Sequence, residues 1–305
     1  MSPILALLLR IPLHGMGLLV ALLPRTWEMA LGAGLGRLAL LIDPLRRKIA
    51  QDNIARCLPE LDPNRRRALL EKNYEHYGRL VLELAHMFTP IPGHFVSYCK
   101  RVAFLEGYEN WEAAHRRGKG VIFCSAHLAN WELAVSIGAL SGIPITIVTR
   151  RLKPAWLHEW MEKARLSTGV RAAYQPHTIP AVMKTLRAGG GIVFVMDQYM
   201  PPPMGQPLRF FGVEVDTLAA VAPLARRTGA AILPIRPLRE DDGRMRIIIE
   251  PEHVLGADDG QDSQRLADMV ETCIRAQPAQ WLWAHRRFKN VDWSKRAGGK
   301  IQDPA

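Results

Sequence analysis

The sequence has few cysteines and lacks the motifs of several common enzyme classes. It contains four cysteines without a C-x-x-C pair, and no His/Cys cluster has the spacing of zinc ligands. Isolated cysteines indicate reduced thiols and a reducing compartment, and neither a metal nor another cofactor is expected. The absence of a Walker A run and of a G-x-S-x-G elbow argues against a P-loop NTPase and against a serine hydrolase of the α/β-hydrolase type.

The N-terminal segment is apolar, but it lacks an uninterrupted membrane-spanning run. Residues 1–24 contain one formal charge, Arg10, and the longest uncharged stretch is the 14 residues 11–24. A transmembrane helix needs about 20 apolar residues, so a single span with a snorkelling Arg10, an interfacial helix and a buried helical hairpin all stay open. No small-residue cleavage site precedes Arg25, which argues against a signal peptide. We predict that residues 1–44 form a membrane-associating helical segment.

The chain carries an excess of positive charge. Forty lysines and arginines against 29 aspartates and glutamates give a formal net charge of +11. This excess suits an anionic partner, which can be a nucleic acid, a phosphorylated lipid surface or an acidic carrier protein. A nucleic-acid-binding protein would leave the apolar N terminus without a purpose, and we therefore expect no nucleic-acid partner. A basic protein of the membrane surface without enzymatic activity is a second alternative.

Short apolar runs alternate with helical patterns from about residue 118 onward. Strands are predicted at residues 120–125, 144–149, 192–196, 231–235 and 245–250, the last as an antiparallel partner of 231–235. Helices are predicted within 45–90 and at 130–140, 154–166, 179–188, 217–228 and 263–276. This alternation predicts an α/β domain over residues 45–305, with a mostly parallel central sheet flanked by helices. In such sheets, functional residues collect where the strands end.

A histidine and a glutamate stand at the end of the first of these strands. The strand ends in Ser125-Ala126-His127, and Glu132 falls in the first turn of the helix that follows. The carboxylate of Glu132 can fold back on the imidazole and fix its tautomer, while the other ring nitrogen accepts a proton from an alcohol. By itself the spacing is weak, because a capping histidine and a surface glutamate would look the same.

Other polar residues follow the neighbouring strands. Asp197 comes directly after the strand at 192–196, where it could also serve as a helix or turn cap. Arg150 ends the strand at 144–149, and Arg165 follows in the next helix. These arginines suit either a solvated face or the phosphate of a substrate.

The order and spacing of these pieces resemble the late acyltransferases of lipid A biosynthesis, within the wider lysophospholipid acyltransferase superfamily. The similar pieces are Asn53-Ile54 with Pro59, H-x-x-N-W-E at 127–132, R-x₃-G at 165–169, Asp197-Gln198, Phe210-Phe211-Gly212, Leu224-Ala225 with Thr228-Gly229-Ala230, and W-x-H-R-R-F-K at 283–289. Together they extend along most of the chain.

The resemblance implies a protein on the cytoplasmic face of the bacterial inner membrane. It implies transfer of a fatty acyl chain from acyl carrier protein to a hydroxyl of a Kdo-bearing or similar lipid A precursor, although a lysophospholipid or ornithine-type acceptor stays open. His127 is implied as the general base and Glu132 as its partner. Asp197 matches the strand-end acid of the family's second motif. Arg150 or Arg165 is implied as a contact to a substrate phosphate, and Asn130 is carried over as a substrate-binding residue.

Overall fold

The structure, a computed structural model, describes residues 3–176 and 178–295. The helices are α1 (Pro3–Leu22), α2 (Arg25–Ile42), α3 (Pro44–Cys57), α4 (Pro63–Ala85), α5 (His94–Val102), α6 (Tyr108–His115), α7 (Trp131–Leu140), α8 (Ala155–Ser167), α9 (Ile179–Arg187), α10 (Val221–Thr228) and α11 (Asp259–Ala276). The strands are β1 (Ala103–Glu106), β2 (Val121–Ser125), β3 (Ile145–Thr149), β4 (Arg171–Tyr174), β5 (Gly191–Val195), β6 (Gly205–Phe210), β7 (Val213–Leu218), β8 (Ala231–Arg239) and β9 (Met245–Ile249).

A seven-stranded sheet in the order β1-β9-β8-β2-β5-β3-β4 forms the centre of the described residues. Every neighbouring pair is parallel except β8 and β9, which run antiparallel. This confirms both the α/β class with a mostly parallel sheet and the predicted antiparallel partner. Each residue of β2 is buried, as a central parallel strand requires.

Helices cover both faces of this sheet, and β2 shows how its side chains divide between them. Ile122 and Cys124 pack in a core with α3, α4, α9, α10 and α11. Phe123, which alternates with them, packs against α6 and β3 on the other face. This alternation is the period of two that side chains follow along a strand.

The predicted helix at 217–228 was wrong at its start. Thr217 and Leu218 belong to β7, which pairs antiparallel with β6, and α10 begins at Val221. The sequence interpretation missed this hairpin because its two-residue turn is Phe211-Gly212 rather than the usual Asn-Gly. Both turn residues have positive φ, at 51° and 78°, as a type I′ turn requires.

The N-terminal helices pack onto the domain through glycines. On α2, a Cβ at Gly36 would lie 2.0 Å from the carbonyl oxygen of Tyr74. On α4, a Cβ at Gly78 would lie 1.9 Å from the carbonyl oxygen of Gly32. The two helix backbones therefore approach too closely for any larger residue. Among the helices of the described residues, none combines the length and apolar character that crossing a membrane requires.

Candidate active site

His127 and Asp197 follow adjacent strands of the sheet. His127 lies two residues after β2 and Asp197 two residues after β5, and these strands pair in parallel. Because parallel strands end at the same edge, the two side chains meet although they are 70 residues apart in sequence. This juxtaposition places the predicted histidine and the predicted strand-end acid in one site.

The Asp197 carboxylate is buried and accepts three hydrogen bonds. Its Oδ1 lies 2.7 Å from the ring Nδ1 of His127. Its Oδ2 accepts the backbone N–H of His127 at 2.9 Å and the indole N–H of Trp281 at 2.6 Å. Burial alone would raise the pKa of Asp197, but the charge of His127 and these donated hydrogen bonds lower it to about 2. Asp197 is therefore ionised at neutral pH.

An ionised Asp197 fixes the tautomer of the neutral His127 ring. A carboxylate can only accept hydrogen bonds, so Nδ1 must carry the proton and Nε2 keeps its lone pair. The side-chain amide nitrogen of Gln198 lies 3.4 Å from Nε2. Burial would lower the pKa of His127, but the charge and hydrogen bond of Asp197, with a smaller contribution from Glu132, raise it above its ordinary value. This is the arrangement of a general base that is oriented by an acid.

Glu132 pairs with Arg165 instead of folding back on the imidazole. Its Oε2 accepts the Nε–H of Arg165 at 2.9 Å, its Oε1 lies 2.5 Å from Nη2, and both side chains are buried. Among the described residues, no hydrogen bond joins Glu132 to His127. A contact between His127 and Asp197 thus takes the place of the expected contact between His127 and Glu132. The ring Nδ1 of His127 is already bound to Asp197, and the Glu132 carboxylate is bound to the guanidinium of Arg165 from α8. The charge of Glu132 still acts on His127 through space.

Asn130 caps helix α7 and is buried beneath the site. Its Oδ1 accepts the backbone N–H groups of Glu132 and Leu133, each at 3.1 Å, and its Nδ2 donates to Oε2 of Glu83 at 3.0 Å. Both ends of the amide are therefore used within the protein. The structure gives Asn130 the contacts of a helix N-cap, and its contact with a substrate stays a prediction.

Glu83 is a buried residue of this site that the sequence interpretation missed. Besides Asn130, its carboxylate accepts a hydrogen bond from Arg25 of α2 at 2.5 Å. It also accepts two hydrogen bonds from the guanidinium of Arg239 at the end of β8. Burial would raise the pKa of Glu83, but Arg239 and Arg25 lower it to about 2. Its position in the last turn of α4, far from any strand end, carries no sequence signal of this role. Glu83 joins the N-terminal helices to the cap of α7.

A cavity of about 480 Å³ opens beside His127. Its polar lining includes His127, Glu132, Arg150, Arg165 and Gln198. Its apolar lining includes Val135, Gly138, Ile143, Ile145 and Ile147, from α7, β3 and the loop between them. A cavity that is polar near the base and apolar beyond it suits a substrate with a reactive end and a hydrocarbon chain.

Arg150 lies at the exposed side of this cavity. Its Nε donates to the side-chain oxygen of Gln175 at 2.8 Å, and the guanidinium is open to solvent. The structure thus gathers His127, Glu132, Arg150 and Arg165 around one cavity, whereas Asp197 and Asn130 support it from below. All six predicted site residues lie in this region.

The thiol nearest to His127 is buried. Burial raises the pKa of Cys124, three residues before His127, to about 12, so its thiol stays protonated at neutral pH. Within residues 3–176 and 178–295, no group of three or more His, Cys, Asp or Glu side chains is arranged to hold a metal ion.

Comparison with known proteins identifies the family. The sequence model of the family described as bacterial lipid A biosynthesis acyltransferase matches residues 11–290. The chain belongs to this family. It is 29% identical to the lipid A biosynthesis lauroyltransferase of Escherichia coli over 277 residues, which cover 89% of this chain and 88% of that protein. It is 27% identical to the E. coli palmitoleoyltransferase over 85% of this chain and 84% of that protein.

A further relative has a different acceptor in its name. The phosphatidylinositol mannoside acyltransferase of Mycobacterium tuberculosis is 27% identical over 70% of this chain and 68% of that protein. What the relatives share is acyl transfer to a lipid. As a member of the family, the chain is an acyltransferase that acts on a lipid acceptor.

Proposed function

We propose that this acyltransferase moves a fatty acyl chain from acyl carrier protein to a hydroxyl of a lipid A precursor or a related glycolipid, on the cytoplasmic face of the bacterial inner membrane. The observation that carries the proposal is the pair His127–Asp197 beside an apolar cavity. The names of the E. coli relatives supply the class of acceptor.

In the proposed reaction, Nε2 of His127 acts as the general base. It takes the proton of the acceptor hydroxyl while that oxygen attacks the thioester carbonyl carbon. The C–O bond forms, the C–S bond breaks, and the imidazolium returns the proton to the departing thiolate. Asp197 stabilises the imidazolium directly, and Glu132 contributes its negative charge through space. A positioned base of this kind contributes about 10²–10⁴-fold to the rate.

The two arginines of the cavity are assigned different tasks. Arg165 is held by two contacts to Glu132 and supplies positive charge where the oxyanion of the tetrahedral intermediate develops. Arg150 is exposed at the cavity mouth and has no carboxylate partner among the described ion pairs, so its guanidinium suits an acceptor phosphate. Glu132 then has a double task, since it orients Arg165 and acts on His127.

The choice of acyl carrier protein as the acyl donor is based on charge. The net charge of +11 suits the surface of an acidic carrier protein, and Arg150 lies at the mouth through which the thioester must enter. Encounter between oppositely charged proteins weakens as salt rises. A phosphatidylinositol mannoside is a second candidate acceptor, favoured by the similarity to the mycobacterial enzyme.

The test is an acyl-transfer assay with the purified full chain in detergent. We expect turnover with acyl carrier protein as donor and a lipid A precursor as acceptor, a fall in turnover as salt rises, and little turnover with acyl-coenzyme A. Equal, salt-insensitive rates with both donors would refute the carrier protein as donor. Acylation of a phosphatidylinositol mannoside, a lysophospholipid or an ornithine-type lipid in preference to the lipid A precursor would replace the proposed acceptor.

A further inference from the structure

Helix α2 presents a row of apolar side chains to solvent. The row follows helical spacing along one face and consists of Trp27, Leu31, Leu35, Leu38 and Ile42, of which Ile42 is 70% exposed. The glycines that pack against α4 lie on the other face of α2. An exposed apolar row of this length is typical of a surface that contacts another molecule or a membrane.

Where this row ends, a groove of about 580 Å³ opens between the end of α2, helix α3 and the first half of α4. Its apolar lining includes Leu40, Leu41, Ile54 and Leu70. Three arginines also line it, and these are Arg47, Arg66 and Arg67. The groove is distinct from the cavity beside His127, because the two share no lining residue.

Two of the groove arginines lack a carboxylate partner. Arg47 donates to the carbonyl oxygen of Leu40 at 3.1 Å, and Arg66 donates to that of Pro59 at 2.8 Å. The Nε of Arg66 is buried without a hydrogen-bond partner. Neither guanidinium takes part in an ion pair with the described residues, whereas Arg67 is paired with Glu71 at 3.2 Å.

Their sequence neighbours are ion-paired, which sets Arg47 and Arg66 apart. Arg46 lies 3.6 Å from Asp43, and Arg65 lies 3.3 Å from Asp62. A guanidinium offers five N–H donors, so a half-buried arginine with one carbonyl contact keeps most of its donors for a ligand. Planar guanidinium groups of this kind suit the oxygens of a phosphate.

We propose that this groove binds the phosphate head group of an anionic membrane phospholipid, with its acyl chains lying along the apolar row of α2. The ligand must carry negative charge and hydrocarbon together, because the unpaired arginines share the groove with leucine and isoleucine side chains. A phospholipid meets both requirements. An acidic protein would meet only the first, and its carboxylates would have to reach half-buried arginines between apolar side chains.

The test is binding of the full chain to phosphatidylcholine vesicles with and without phosphatidylglycerol, measured by co-sedimentation at fixed salt. A basic residue near an anionic membrane contributes about 1 kcal/mol, so Arg47→Gln with Arg66→Gln is expected to weaken binding to the anionic vesicles by roughly 30-fold. Binding to neutral vesicles is expected to change little. The matched control is Arg187→Gln with Arg227→Gln, because both are exposed arginines at the ends of α9 and α10 without a described ion pair. It removes the same charge and should lower binding only a few-fold.

A second variant fills the groove without changing charge. Ala55 lines it, and Ala55→Trp is expected to abolish the preference for anionic vesicles while the melting temperature stays near that of the wild type. The proposal is overturned if the arginine pair and its control lose affinity equally, or if Ala55→Trp keeps the full preference. It is also overturned if the arginine pair binds vesicles normally but loses affinity for acyl carrier protein. Acyl transfer to a detergent-dispersed acceptor should persist in all of these variants, which separates this site from the catalytic proposal.

Discussion

Asp197 holds His127 at two points, since one carboxylate oxygen lies 2.7 Å from the ring Nδ1 and the other accepts the backbone N–H at 2.9 Å. The first contact fixes the tautomer, and the second fixes the loop from which the side chain projects. The same carboxylate also accepts the indole N–H of Trp281. In the proposed mechanism Asp197 therefore positions the base. Its substitution is expected to change the orientation of the His127 ring, the proton affinity of that ring and the geometry of the loop together.

The first prediction concerns Asp197→Asn and the dependence of rate on pH. The base must be neutral to accept a proton, so activity falls as the pH drops through the pKa of His127. Asp197 raises that pKa, and its loss lowers it, so we expect the acid limb of kcat/KM to move to lower pH. We also expect kcat to fall about 10²–10⁴-fold, because an amide no longer enforces the tautomer.

The control for this prediction is Asp241→Asn, in the exposed turn between β8 and β9, where the same charge is lost far from the site. Its rate and pH profile should match the wild type. An acid limb that stays in place in Asp197→Asn would show that Asp197 does not set the proton affinity of His127.

The second prediction concerns Glu132 and Arg165 as one unit. Glu132→Ala leaves a buried guanidinium without its partner and is expected to lower the free energy of unfolding by about 3–5 kcal/mol. Glu132→Gln keeps the shape and should cost less. If Glu132 acts mainly by holding Arg165, then Glu132→Gln with Arg165→Met should be hardly slower than Arg165→Met alone. The acid limb of kcat/KM should move less in Glu132→Gln than in Asp197→Asn.

The alternative is that Glu132 acts on His127 independently of Arg165. In that case the losses in rate of the two single variants would multiply in the double variant. A chemical-denaturation curve for each variant separates loss of folded protein from loss of turnover. His127→Ala is the reference, and it is expected to lower kcat by about 10²–10⁴-fold while the protein stays folded.

The third prediction separates capping by Asn130 from contact with a substrate. Asn130→Ala removes the cap and should cost about 1 kcal/mol of stability, whereas Asn130→Ser keeps a capping oxygen and loses only the bond to Glu83. Because the amide is buried beneath the site, both variants should lower kcat and leave KM nearly unchanged. The loss of kcat should be larger in Asn130→Ala.

Asp258→Ala is the matched control, because Asp258 is the N-cap of α11 and accepts the backbone N–H of Gln261 at 2.7 Å. It should cost similar stability with no loss of turnover. A large rise in KM for the acceptor in Asn130→Ser would restore Asn130 as a substrate-binding residue.

The sequence predicted the positions of His127 and Asp197 in the fold better than it predicted the partner of His127. His127 and Asp197 could be found because each follows a buried strand of a parallel sheet, where polar side chains gather. Their contact depends on β2 lying beside β5, and this order in space does not follow the order in the chain. Glu132, five residues from His127, was the nearer candidate in sequence, whereas the residue that binds Nδ1 is 70 residues away. Chain distance was thus a poor guide to the partner.

Two further features had no local pattern to reveal them. Glu83 lies within a helix, and its role depends on arginines from α2 and β8 that meet it only in the folded chain. The Phe211-Gly212 hairpin turn has phenylalanine where asparagine or aspartate is usual, so the strands around it were read as a loop and a helix start. Long-range packing overrides local propensity in both cases.

The last prediction tests the apolar cavity as the site of the acyl chain. Gly138 lines it from α7, and a Cβ added there would lie 2.7 Å from Cδ1 of Ile145 on β3. The Ile145 methyl group must then shift, and we expect it to turn into the cavity and shorten it. Each buried methylene contributes about 0.8 kcal/mol, so Gly138→Ala should lower kcat/KM for the longest accepted chain roughly fourfold or more for each methylene that no longer fits. Gly138→Val should extend this loss to shorter chains.

Gly34→Ala on α2 provides the control, because a Cβ there meets no atom within 4 Å and both positions are helical. It should leave the preference for chain length unchanged. The measurement is a competition between carrier-bound acyl chains of different length, read by mass spectrometry of the product lipid. A uniform fall in rate across all lengths in Gly138→Ala would mean that the chain lies elsewhere, because only a cavity that holds the chain can convert one added methyl group into a change of length preference.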